Sequence, residues 1–92
     1  MQKGNKVYYW KDKQGYEVDF IVVEGGKVTG VYQVSYSMRE ARTKTRETNA
    51  LIKALICFDL KEGTIITENQ EMEETLKGFR IRYMPVWKFL LS

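Results

Sequence analysis

The sequence feature that most constrains the fold is a change of hydrophobic period near Ser37. Before this point apolar and polar residues alternate, as they do along strands whose two faces meet different surroundings. After it the apolar residues recur every three or four positions, which is the spacing of one helix face. We therefore expect a β-rich first half followed by one long helix.

The first half predicts a meander of three antiparallel strands. They are Lys6–Trp10, Tyr16–Val23 and Lys27–Tyr36, joined by a polar turn and by the tight Gly25-Gly26 reversal. Alternation in the second strand predicts two faces, with Val18, Phe20 and Val22 on one and Glu17, Asp19, Ile21 and Val23 on the other.

The helix is expected to begin at a capping box and to cross back over the sheet. Ser37 and Glu40 have the spacing of such a box, and Gly63 is predicted to end the helix. Its predicted apolar seam consists of Ala41, Thr48, Leu51, Ile52, Leu55 and Phe58. A right-handed crossover would place the next strand, Thr64–Thr67, parallel to the third strand.

The last part of the chain predicts a hairpin and a short helix. Met72–Leu76 and Phe79–Met84 flank Lys77-Gly78, and Pro85 suits the first position of a final helical turn. In that turn Trp87, Leu90 and Leu91 are expected to pack against the core. The predicted fold is α/β, a mixed sheet in the order β-β-β-α-β-β-β-α with one long crossover helix.

Composition excludes several kinds of site. The 92 residues include no histidine and one cysteine, so histidine-based catalysis, zinc sites and an internal disulfide are ruled out. The net charge of +3 permits nucleic-acid binding without requiring it. No apolar run has membrane-spanning length, and no signal peptide is evident, so we expect a cytoplasmic protein with no membrane partner.

The predicted hairpin gathers oxygen-bearing side chains on one face. Glu17 and Asp19 lie two apart on one strand, and Gln33 and Ser35 lie two apart on the next. Hard cations such as magnesium bind ligands of this kind. The alternative is an ordinary solvated sheet face, on which polar residues also alternate. Spacing alone favours this second interpretation.

The same hairpin resembles the PD-(D/E)XK nuclease-like superfamily. More closely, the whole chain resembles the C-terminal domain of unknown function that follows the ATPase module in many prokaryotic AAA-type ATPases. The likeness rests on the segments Tyr8-Tyr9-Trp10, Glu17-Val18-Asp19-Phe20, Gln33-Val34-Ser35 and the closing run from Pro85 to Leu91. It implies a restriction-endonuclease-like fold and a single accessory domain over residues 1–92, the C-terminal piece of a larger ATPase.

The resemblance also implies a vestigial site. In active members an aspartate on the second strand and a Glu-x-Lys pair on the third hold the metal and the attacking water. Asp19 matches the aspartate, Gln33 stands at the glutamate position and Ser35 at the lysine position. Without the lysine's charge no catalytic residue is expected. Asp19, Glu17 and Gln33 remain candidate ligands for weakly bound Mg²⁺, the one cofactor considered.

A basic stripe follows one face of the predicted helix. Its members, spaced three and four apart, are Arg39, Arg42, Arg46, Asn49 and Lys53. Arginines near a helix N-terminus oppose the macrodipole, which suggests an anionic partner such as nucleic-acid phosphate. The alternative is a solvated face partly paired by Glu40 and Glu47.

Three functions are therefore open. The favoured one is a non-catalytic accessory domain of an AAA-type ATPase that contributes nucleic-acid or protein contacts. The second is a metal-dependent DNA nuclease using Asp19, Glu17 and Gln33. The third is a structural interaction or oligomerisation module acting through an exposed sheet edge.

Overall fold

The computed structural model describes residues 6–35 and 41–91. They form an α/β fold with one six-stranded mixed sheet and two helices. The strands are β1 Lys6–Lys11, β2 Glu17–Glu24, β3 Lys27–Val34, β4 Glu62–Thr67, β5 Met72–Leu76 and β6 Phe79–Pro85. The helices are α1 Ala41–Cys57 and α2 Val86–Leu91. Tyr36 and the predicted capping box at Ser37 and Glu40 lie outside the described residues.

The sheet order is β1-β2-β3-β4-β6-β5. The first three strands form the predicted antiparallel meander, with Gly25 and Gly26 at positive φ in the tight turn between β2 and β3. Helix α1 carries the chain back to β4, which pairs parallel to β3 as expected. Strand β6 then pairs parallel to β4, and β5 runs antiparallel along its outer side. The predicted element order and mixed sheet are confirmed.

The core lies between α1 and one face of the sheet. Leu51 and Leu55 of α1 are fully buried, as are Ile65 of β4 and Ile81 and Tyr83 of β6. The predicted seam is confirmed for Thr48, Leu51, Ile52 and Leu55, and Phe58 is half-buried at its end. The side chain of Ala41 is not described.

The prediction that Gly63 ends the long helix is wrong. Helix α1 ends at Cys57, and Asp59 adopts the left-handed conformation with φ of 57°. The Leu60 N–H donates to the Leu55 carbonyl at 2.9 Å and the Asp59 N–H to the Ile56 carbonyl at 3.2 Å, which is the Schellman arrangement. Gly63 is instead a buried residue of β4 that lies against Leu51.

The simple alternation predicted for β2 is also wrong. The register between β1 and β2 shifts between Tyr8, which pairs with Ile21, and Trp10, which pairs with Val18. One extra residue of β2 is therefore accommodated, as in a β-bulge, and the two faces exchange at that point. As a result Val18 and Ile21 both belong to the core under α1. The bulge lies at Asp19 and Phe20.

Helix α2 packs through a different residue from those predicted. Trp87 is 54% exposed, Leu90 74% and Leu91 82%, so their expected burial is wrong. Phe89 makes the contact instead, with ring centroids 6.2 Å from Phe20 and 5.8 Å from Tyr32. This places α2 against the sheet face opposite α1. Within the described part of the chain, neither helix is long and apolar enough to cross a membrane.

Candidate functional site

A polar pocket of about 190 Å³ lies between α1 and the adjoining ends of β2 and β3. Three of the predicted site residues, Glu17, Asp19 and Gln33, line it together. Ser35 does not. Its backbone N–H donates to the Ile66 carbonyl at 2.8 Å and so continues the pairing of β3 with β4. The hairpin therefore brings together three of the four residues that its pattern predicted.

Gln33 and Asp19 join the two strands where their regular pairing ends. The last paired residues on this side of the β2–β3 ladder are Phe20 and Tyr32. Beyond them the Gln33 side chain donates to the Glu17 carbonyl and accepts from the Asp19 N–H, both at 3.0 Å. Asp19 reciprocates, since its Oδ2 accepts from the Val34 N–H at 2.7 Å. The two side chains thus replace backbone hydrogen bonds of the sheet.

These contacts do not suit a magnesium site. Both polar atoms of the Gln33 amide and one oxygen of Asp19 are already hydrogen-bonded to backbone groups. Over residues 6–35 and 41–91, no group of three or more carboxylate or thiol side chains is placed to hold a metal ion. The assignment of Asp19, Glu17 and Gln33 as metal ligands stays a prediction that this donor set does not favour.

Glu17 lies at the rim of the pocket and faces other partners. Its carboxylate is 3.8 Å from the Lys11 ammonium. It also accepts a hydrogen bond from the Tyr9 hydroxyl, and this bond is the main reason that the pKa of Tyr9 is raised. Glu17 thus ties β2 to the edge strand β1.

Glu47 is a pocket residue that the hairpin pattern missed as a site residue. It projects from α1 toward Asp19 and Gln33, and its side chain is 18% exposed. Burial raises the pKa of its carboxyl, with Asp19 adding to the rise and Arg46 and Gln33 opposing it. The sequence offers one signal for Glu47. It lies next to Thr48 at the edge of the apolar seam, where a helix side chain faces the sheet more than the solvent.

The basic stripe forms one face of α1. Arg42, Arg46, Asn49 and Lys53 follow each other at helical spacing, and all three of its described basic residues are exposed. Arg39 lies outside the described residues. Arg46 is 3.8 Å from Glu47, whereas Arg42 and Lys53 form no ion pair with any other described residue.

An open groove of about 450 Å³ runs along this stripe. We call it the basic groove. It is lined by Tyr16, Arg42, Thr45, Arg46 and Asn49. Tyr16 was not predicted as a site residue either, although its position between Gly15 and the first residue of β2 could have marked it as an aromatic residue at a loop edge. The Lys53 ammonium lies 5.6 Å from the centroid of its ring.

Comparison with known proteins assigns the chain to a family. The family described as Domain of unknown function (DUF4143) matches residues 1–89. The chain belongs to this family. No curated protein and no solved structure matches it.

The DUF4143 match extends from before β1 to Phe89 of α2. It therefore includes both the polar pocket and the basic groove. Both features belong to the DUF4143 domain of this chain.

Proposed function

We propose that this DUF4143 domain is a non-catalytic accessory domain of an AAA-type ATPase, and that it contacts nucleic acid through the basic groove. The observation that carries the proposal is the exposed face of Arg42, Arg46 and Lys53 on α1. Two of these cations have no carboxylate partner among the described residues. Such a surface is available to an external anion.

The spacing of the cations suits a phosphate backbone. From Arg42 to Lys53 the helix rises by roughly 16 Å, so the basic face of α1, which includes the basic groove, can follow a few successive phosphates. Helix α1 carries four basic residues and one acidic residue, and no acidic residue lies in its described first turn. Cations placed against the helix macrodipole are stabilised by a bound anion.

The residues in and beside the polar pocket support the non-catalytic part of the proposal. Phosphodiester cleavage in the superfamily that the hairpin resembles requires a positive charge from the lysine two positions after the glutamate. Serine occupies that position here, and Ser35 does not line the pocket. Gln33, at the glutamate position, is engaged with the backbone of β2 at both ends of its amide. The pocket therefore supports the sheet rather than a reaction.

The ATPase context rests on the resemblance of the sequence. Its closing segment from Pro85 to Leu91 and its Glu17–Phe20 string occur in the order found in C-terminal domains of prokaryotic AAA-type ATPases. The parent open reading frame tests this part directly. An upstream Walker motif is expected, and a parent protein that contains no ATPase module would contradict the proposal.

Binding to labelled oligonucleotides tests the nucleic-acid contact. We expect affinity to fall steeply between about 50 and 200 mM salt, because phosphate contacts release counterions. Arg42→Ala and Arg46→Ala should each weaken binding and reduce the salt slope by about one. Lys27→Ala is the matched control, since it removes one exposed positive charge at the β2–β3 turn, away from α1.

The same preparation distinguishes the two alternatives. A nuclease would cleave labelled DNA with magnesium or manganese, and metal would shift the amide resonances of Asp19 and Gln33. We expect neither effect, and cleavage abolished by Asp19→Ala would overturn the non-catalytic assignment. Undetectable or salt-insensitive binding would leave the protein-interaction module as the better description.

A further inference from the structure

Tyr16 is held in place at the edge of the basic groove. The Asp12 carboxylate accepts from the backbone N–H groups of Gln14 and Tyr16, each at 2.9 Å. The Asp12 N–H donates to the Tyr16 carbonyl at 3.0 Å, which closes the turn between β1 and β2. These bonds fix the backbone at Tyr16. The protein therefore loses little conformational entropy when a ligand packs on the Tyr16 ring.

The groups around the ring differ in kind. Arg42 and Arg46 offer guanidinium groups, Asn49 an amide and Thr45 a hydroxyl, all lining the same groove of about 450 Å³. The Lys53 ammonium lies 5.6 Å from the ring centroid. A nucleotide has a matching partner for each of these groups. The aromatic ring can stack on the face of the base, the amide can hydrogen-bond to the base edge, and the cations can bind the phosphate.

Negative charge in the polar pocket, on the other side of Tyr16, limits where a nucleic-acid strand can lie. Tyr16 and Arg46 line both the basic groove and the polar pocket. The pocket holds the carboxylates of Glu17, Asp19 and Glu47. These groups repel phosphate, so a bound backbone lies along α1 toward Arg42 and away from the pocket.

We propose that the basic groove binds single-stranded nucleic acid, with one base stacked on Tyr16 and the neighbouring phosphates on Arg42 and Arg46. This inference rests on the proposed function and specifies its partner. In a duplex the bases are stacked on each other and cannot reach a side chain beside the helix, so Tyr16 would contribute nothing. In a single strand every base presents a face that an aromatic ring can stack on.

The test compares the full 92-residue chain with three variants on an oligothymidylate and on a duplex of equal length. The variants are Tyr16→Leu, Tyr16→Phe and the control Trp87→Leu, which removes an exposed ring on α2, against the opposite sheet face. Fluorescence anisotropy should show tighter binding to the single strand. Tyr16→Leu should weaken that binding by roughly 5- to 150-fold, the range for loss of one stacked base.

The pattern across variants separates stacking from other effects. Tyr16→Phe and Trp87→Leu should bind the single strand as the unmodified chain does, and Tyr16→Leu should leave the salt slope unchanged because no charge is removed. Photocrosslinking of a bromodeoxyuridine-containing strand to the unmodified chain should label the peptide that contains Tyr16. This measurement does not depend on whether a variant folds.

Failure of this inference differs from failure of the proposed function. Base stacking would be overturned if the chain bound duplex and single strand with equal affinity. It would also be overturned if Tyr16→Leu and the unmodified chain had the same affinity for the single strand. In either case, weaker binding by the arginine variants would still support a nucleic-acid contact. Thymidine monophosphate that binds as tightly as the oligothymidylate would overturn the strand as ligand. No binding of the unmodified chain to any nucleic acid would overturn both proposals.

Discussion

Gln33 shows how a single side chain can substitute for a stretch of backbone. It is 4% exposed, and its amide supplies one donor and one acceptor to β2 at the point where β2 and β3 stop pairing. An unpaired amide and carbonyl in this position would each lose hydrogen bonds to water without replacement. The glutamine therefore stabilises the end of the hairpin, whereas a glutamate could only accept.

Replacing Gln33 tests this role. Gln33→Leu should lower the free energy of unfolding by about 1–3 kcal/mol, because it leaves the Asp19 N–H and the Glu17 carbonyl unpaired. Gln33→Glu should cost more at pH 7, since a carboxylate cannot donate to Glu17 and adds charge beside Asp19 and Glu47. At about pH 4 the introduced carboxyl group can carry a proton and donate it, so the cost of this variant should shrink.

Urea unfolding followed by circular dichroism at both pH values measures these changes. Gln70→Glu is the control, because it makes the same substitution at an exposed loop position. A Gln33→Glu variant as stable at pH 7 as the unmodified chain would contradict the hydrogen-bonding role.

The local part of this site could be predicted from the sequence, and the rest could not. The proximity of Asp19 to Gln33 follows from a tight turn and strand register, which depend on neighbouring residues. Glu47 and Tyr16 come together with Asp19 and Gln33 only where α1 packs on the sheet. The apolar seam predicts which face of α1 meets the sheet, but the distance and crossing angle of that packing are set by contacts between residues far apart in the chain.

At the scale of elements, the close approach of α1 to β4 depends on Gly63. A Cβ at this position would lie 3.0 Å from Leu51 Cγ and Cδ1 and 3.1 Å from Cδ2. Leu51 is fully buried and cannot move without disturbing the core. The glycine that the sequence pattern assigns to the helix end therefore serves packing, while Asp59 ends the helix in the left-handed conformation.

Gly63→Ala should accordingly destabilise the domain by about 1–3 kcal/mol through overpacking. Leu51→Val shortens the opposing side chain and should relieve part of that cost. A double-mutant cycle measured by urea unfolding tests this. The double variant should lose less free energy of unfolding than the two single variants lose together, by at least about 0.5 kcal/mol. Strict additivity would show that the two residues do not compete for space.

At the scale of the whole molecule, the parallel pairing of β4 with β3 was predictable because connection rules leave few alternatives. A meander followed by a long helix and a β-branched strand has one favoured right-handed return. The bulge beside Asp19 was not predictable, since it depends on how β1 pairs with β2. The packing of Phe89 in place of Trp87 likewise depends on a face built from Phe20 and Tyr32, which are distant in sequence.

A polar network joins α1 to the two strands farthest from the hairpin. The hydroxyl of the fully buried Tyr83 on β6 donates to the Glu74 carboxylate on the edge strand β5. Lys44 of α1 lies 3.4 Å from the same carboxylate and 5.6 Å from the Tyr83 ring centroid. Burial and the Glu74 carboxylate both raise the pKa of Tyr83 above its ordinary value of 10.0. The network therefore requires a neutral phenol.

Tyr83→Phe should lower the free energy of unfolding at pH 7 by about 1.5–3 kcal/mol, because it removes a hydrogen bond to a charged group. The folded chain keeps the Tyr83 proton above pH 10, where the unfolded chain releases it, so the stability due to this phenol falls as pH rises. The difference between the two proteins should therefore narrow in alkaline urea titrations. Tyr8→Phe, at an exposed tyrosine of β1, is the control. Its free energy of unfolding should stay within about 0.5 kcal/mol of that of the unmodified chain at every pH. A difference between Tyr83→Phe and the unmodified chain that is constant across this pH range would show that the phenol proton is not part of the link between α1 and β5.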